Sequence, residues 1–64
     1  MNKLNLTVKL IGEDGNIFNL LRIVRNAMRE NGYGDQVDEF TKQATNSRSY
    51  DEALCVILEW VDVI

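Results

Sequence analysis

The run Leu4-Asn5-Leu6-Thr7-Val8-Lys9-Leu10-Ile11-Gly12-Glu13-Asp14-Gly15-Asn16 (residues 4–16) changes character twice, and its reading decides the fold. Leu4, Leu6, Val8 and Leu10 alternate with Asn5, Thr7 and Lys9. A period of two places four apolar side chains on one face of an extended chain and polar ones on the other. This predicts a half-buried β-strand over about residues 3–11. Gly12, Gly15, Asp14 and Asn16 then supply the backbone freedom and local side-chain hydrogen bonds of a reversal. They also set acidic and amide groups just ahead of a helix N-terminus, where free N–H groups and the positive end of the dipole favour them. The same loop makes a poor ligand site. A phosphate cradle needs suitably spaced glycines and a lysine, and Glu13 and Asp14 repel an anion. A calcium loop needs oxygen ligands at alternating positions and a glutamate at the twelfth. The loop reads as a turn and a cap.

Beyond Asn16 the period becomes helical. Ile17, Leu20, Leu21, Val24, Ala27 and Met28 fall on one face, with Phe18 and Ile23 widening it, which predicts a helix over about residues 16–31. Gly32 suits the position just past its end. Asp35 is the candidate N-cap of a short second helix, about 35–45, with Val37, Phe40 and Ala44 on one face. Ser49-Tyr50-Asp51-Glu52 spells a capping box, in which the Ser49 hydroxyl accepts from the Glu52 N–H and the Glu52 carboxylate reaches back to the Ser49 N–H. A third helix, about 50–60, carries Ala53, Leu54 and Ile57 inward, followed by Val61, with Leu58 and Trp60 flanking. Over residues 61–64 the β-branched residues favour a short strand over a last helical turn. A lone strand leaves backbone groups unpaired. The face of Leu4, Leu6, Val8 and Leu10 therefore marks a strand whose edge pairs with the C-terminal segment, with a second copy, or with another protein.

The fold expected is α+β, in one domain over residues 1–64: an N-terminal strand, three helices on one face of the sheet, and a short C-terminal strand. A chain of 64 residues buries only about 60% of the surface its unfolded form exposes. Chains this short usually rely on disulfides or metals. This one has no histidine and a single cysteine, Cys55, so neither a metal nor a cofactor is expected. Oligomerisation, as a homodimer, is the remaining support. With no partner base of the usual kind, Cys55 reads as a small buried hydrophobe. No apolar run approaches the roughly 18 residues of a membrane span, and Asn5, Thr7 and Lys9 interrupt any signal-peptide core. The expected location is cytoplasmic, with no membrane partner. Ten acidic against seven basic residues give a net charge of −3, which opposes diffuse attraction to nucleic acid or anionic lipid.

Several residues stand out as a candidate interaction surface. Arg22, Arg25 and Arg29 lie at i, i+3 and i+7, a stripe set off from the apolar face. Such a stripe grips a phosphate backbone, a nucleotide or an acidic protein groove, or it is a solvated face neutralised by Glu30, Asp35 or Asp38. Tyr33 and Trp60 are of the types that anchor interfaces, although Trp60 also suits the core or a dimer contact. The carboxylates Asp51, Glu52, Glu59 and Asp62 make the last helix and tail acidic. No base–nucleophile or metal constellation is spelled out, so the chain is not expected to be an enzyme.

Three stretches resemble a group of short uncharacterised proteins of bacterial genomes and prophage regions: VKLIGEDGNIFNLL (8–21), EFTKQAT (39–45), and SYDEAL (49–54) with WVDV (60–63). The resemblance covers nearly the whole chain. In that group a Gly-Asp-Tyr-Asp-His type of run lies near the last helix. Here the run is Arg48-Ser49-Tyr50-Asp51-Glu52, so any role of that histidine does not transfer. The resemblance implies no activity; it implies an intracellular, mobile-element context. The expected function is a non-enzymatic protein-binding protein acting on a host protein as inhibitor or adaptor. The alternatives are a nucleic-acid or nucleotide binder using the arginine stripe, and a self-assembling structural subunit.

Overall fold

The computed structural model describes residues 4–64. The alternating run finds its partner within its own chain. Strand β1 (Thr7–Val8) pairs in parallel with β2 (Asp62–Val63), in the register Thr7 with Asp62 and Val8 with Val63. Hydrogen bonding extends past these short strands: Leu4 N–H donates to the Trp60 carbonyl at 3.0 Å and Leu10 N–H to the Ile64 carbonyl at 2.8 Å. Asp62 N–H donates to Leu6 C=O at 2.9 Å and Ile64 N–H to Val8 C=O at 3.0 Å. Leu4, Leu6, Val8 and Leu10 thus turn their backbone groups toward the C-terminal segment. The regular strand is shorter than the expected 3–11, covering only Thr7–Val8; Lys3 lies outside the described residues.

Parallel neighbours need a long crossover, and the three helices supply it: α1 (Ile17–Glu30), α2 (Val37–Thr45) and α3 (Tyr50–Trp60). The Asn16 side chain caps α1, accepting from Phe18 N–H at 2.9 Å, and Asp14 Oδ1 accepts from Asn16 N–H at 2.9 Å. Gly32, at φ +87°, ends α1 in the left-handed region. Tyr33 N–H then reaches back to Met28 C=O at 2.8 Å and Gly32 N–H to Arg29 C=O at 3.5 Å, a Schellman closure. Asp35 is not a helix cap. It lies in a 3₁₀ turn, Gly34–Gln36, and α2 starts two residues later than expected with no side-chain cap. The turn carries the chain from the closure of α1 into α2 by tighter i→i+3 bonds, seen where Gln36 N–H meets Tyr33 C=O at 3.0 Å.

The capping box before α3 forms with one partner shifted. Glu52 N–H donates to Ser49 Oγ at 3.1 Å, whereas the Glu52 carboxylate accepts from Arg48 N–H at 3.0 Å instead of from Ser49. Ser49 is fully extended, at φ −154° and ψ 166°.

The core gathers where the helices cover the inner face of the strands. Leu4, Leu6, Val8, Leu20, Leu21, Val24, Met28, Val37, Phe40, Ile57, Trp60 and Val61 are buried, with Leu10, Ile17, Tyr33 and Leu54 half-buried against them. Trp60 and Phe40 meet edge to face with ring centroids 5.6 Å apart. Burial of the indole requires an acceptor for its N–H, and Gln43 Oε1 provides one at 2.9 Å. Two expectations for α3 are corrected. Cys55 is exposed, because Ala53, Ile57 and Trp60 define the inward face and position 55 projects away from it. Leu58 projects outward as well, at 55% exposure.

The two polar links give two predictions. Ser49→Ala removes the cap of α3 and is expected to lower unfolding free energy by about 0.5–2 kcal/mol in urea titration. Gln43→Leu strands the Trp60 donor in the core and is expected to lower it by about 1–3 kcal/mol. A Gln43→Leu chain as stable as the parent would mean that the indole finds another acceptor.

Candidate functional site

Of the residues expected to form one interaction surface, only the arginines share a free face. Trp60 does not belong to it: at 1% exposure it is a core residue, held by Phe40 and Gln43. Tyr33 is half-buried against the core at the end of α1. Of the three partners open to the edge of Leu4, Leu6, Val8 and Leu10, the structure shows the C-terminal segment. The backbone groups of Leu4, Leu6, Val8 and Leu10 face β2, so the edge left open on β1 presents Thr7 and Lys9, whose exposed side chains lie on the solvent face.

On α1, Arg22 and Arg29 are exposed and Arg25 is half-buried. Each exposed guanidinium is steered by an asparagine three residues earlier. Arg22 Nη2 donates to Asn19 Oδ1 at 2.6 Å, and Arg29 Nη1 donates to Asn26 Oδ1 at 3.3 Å. Asn19 is itself tied down, its amide donating to Asp14 C=O at 2.9 Å. Arg25 sits at the boundary of the apolar face, and its Nε is enclosed with no hydrogen-bond acceptor. The neutralising contacts expected from Glu30, Asp35 or Asp38 do not form: among the described residues no carboxylate pairs with the three arginines. Glu30 follows Arg29 directly and so points about 100° away around the helix, and Asp35 and Asp38 are carried off by the turn after Gly32.

A second feature was missed by periodicity alone. At the other end of α1 a cleft of about 320 Å³ opens between the helices, lined mainly by Ile17, Phe18, Leu21, Ala44, Tyr50 and Ala53. Phe18 stands on its lip at 75% exposure and Tyr50 at 46%. The Tyr50 hydroxyl donates to Gly15 C=O and ties the loop before α1 to the start of α3. Arg48 and Ser47 complete the rim. The sequence signal was the position of Phe18 beside Ile17, one residue off the core stripe. Among the described residues, no group of His, Cys, Asp or Glu side chains is placed to hold a metal ion, and no helix is long and apolar enough to cross a membrane.

Compared with protein-family models, curated proteins and solved structures, the chain matches none of them.

Enclosure of Arg25 Nε without an acceptor yields a prediction. Arg25→Met keeps the apolar stem and removes the orphaned donor, so unfolding free energy is expected to stay level or rise by up to about 1 kcal/mol. A loss of more than about 1 kcal/mol in chemical denaturation would show that the guanidinium stabilises the fold.

Proposed function

We propose that this chain is a non-enzymatic protein-binding protein that docks on a partner by accepting an apolar side chain into the cleft between α1, α2 and α3. The observation that carries this reading is Phe18: a large aromatic side chain, exposed on the lip of an apolar cleft and beside a second aromatic, Tyr50. Aromatic side chains around a pocket are the usual anchors of protein interfaces. A cleft of this size takes one or two side chains of a partner. The rim adds the polar groups that orient such a contact, with Arg48 available to a carboxylate or carbonyl. The non-enzymatic part of the reading draws on a composition without histidine and with one cysteine. The resemblance to prophage-region proteins supports a mobile-element context, in which a host protein is the partner and its inhibition or adaptation the role.

Native mass spectrometry on tagged protein, withdrawn gently from a lysate of the cells that encode it, tests the reading. The parent chain is expected to carry one polypeptide at fixed stoichiometry, and Phe18→Ser to reduce its retention about tenfold or more. Phe18 is exposed, so the thermal midpoint of the variant serves as the control for folding. Equal retention by the two proteins, or no retained polypeptide, would sink the proposal.

A further inference from the structure

Three arginines line one face of α1, which ends in Glu30, while the exposed surface of α2 carries Asp38, Glu39 and Lys42 and that of α3 carries Asp51, Glu52 and Glu59. An acidic chain in which three aligned arginines meet no carboxylate of their own has that face available to carboxylates from elsewhere. The outward face of α3 has the matching pattern. Arg22, Arg25 and Arg29 stand at i, i+3 and i+7; Glu52, Cys55 and Glu59 stand at the same spacing, all three exposed. Seven residues of helix rise about 10.5 Å, so Arg22 and Arg29 are as far apart along α1 as Glu52 and Glu59 are along α3. Between the two glutamates lies the small Cys55, which lets another helix approach closely.

We propose that the arginine face of α1 docks on the outward face of α3 of a second copy of this chain, with the helices antiparallel, Arg22 toward Glu59 and Arg29 toward Glu52. Each copy carries both faces, so the contact can be made reciprocally, as a two-fold arrangement requires. Arg22 and Arg29 enter the contact already oriented by Asn19 and Asn26, which lowers the entropy lost on pairing. A guanidinium also accepts a carboxylate in a two-pronged geometry that a lysine does not offer. Phe18 stands one turn before Arg22 on the same line of α1, so the seam continues from the lip of the cleft. The net charge of −3 opposes diffuse attraction to nucleic acid and to a second copy alike, so the contact rests on the local match of arginines and glutamates.

A charge-swap mixing experiment, read by sedimentation velocity, tests the proposal. The parent chain is expected to form a dimer at micromolar concentration. Arg22→Glu/Arg29→Glu and Glu59→Arg, each alone, are expected to raise the dissociation constant at least about tenfold, and an equimolar mixture of the two to recover association. Circular dichroism establishes that both variants fold. A parent chain that stays monomeric at hundreds of micromolar, variants that dimerise as it does, or a mixture that does not recover would each overturn the proposal. Binding of a labelled oligonucleotide by a monomeric parent, abolished in Arg22→Glu/Arg29→Glu, would overturn it in favour of nucleic acid.

Discussion

Pairing of the first strand with the last five residues is the constraint on which the rest depends. It joins the two ends of the described chain, so it fixes the start of the loop before α1 and the exit of α3 at once. Joining segments more than fifty residues apart carries a closure entropy that grows slowly with length. In the folded chain the packed helices hold the two segments side by side. Trp60 is where the two requirements coincide. Its side chain fills the core against Phe40 and Gln43, and its carbonyl accepts the Leu4 N–H. One residue therefore ends α3, anchors the helical layer and starts the ladder. Val61, at 0% exposure, secures the turn from helix to strand.

The helical segments were legible from sequence because their information is local. Asn16, Gly32 and Ser49 act within a turn of where they stand, and the apolar stripe of α1 appears in the structure as Leu20, Leu21, Val24 and Met28. The short C-terminal strand was legible through its β-branched residues. What sequence did not decide was which of three partners the first strand takes, because pairing at long separation leaves no periodic trace. The length of β1 depends on that pairing too, because alternation reports which face of a segment is apolar and not how far its backbone finds a partner.

The misread residues share one cause. Cys55 was assigned to the core by residue type, yet type is a weaker guide than phase. With Ala53, Ile57 and Trp60 inward, position 55 lies on the far side of α3. Trp60 suits the core or a dimer contact by type as well as an interface anchor, and its phase puts it in the core with Ile57. Asp35 has the chemistry of a cap but sits inside the turn that α1's closure at Gly32 and Tyr33 imposes. For the arginine stripe, spacing gave the alignment correctly. The absence of carboxylate partners depends on where the chain goes after Gly32, which spacing does not report.

The phase of α1 also explains why Phe18 is left outside. Ile17, Leu21, Val24 and Met28 recur at intervals of four, three and four, the stripe of a helix packed along its length. Phe18 is one residue, about 100°, from that line. Turning α1 to bury it would carry Leu21 and Val24 away from β1 and α3 and break the contacts that close the core. The fold therefore excludes Phe18 on geometric grounds, however apolar it is. A small domain has few large side chains to spare. One left on the surface beside a cleft, where it adds nothing to folding, exposes apolar area that only contact with another molecule can remove from water.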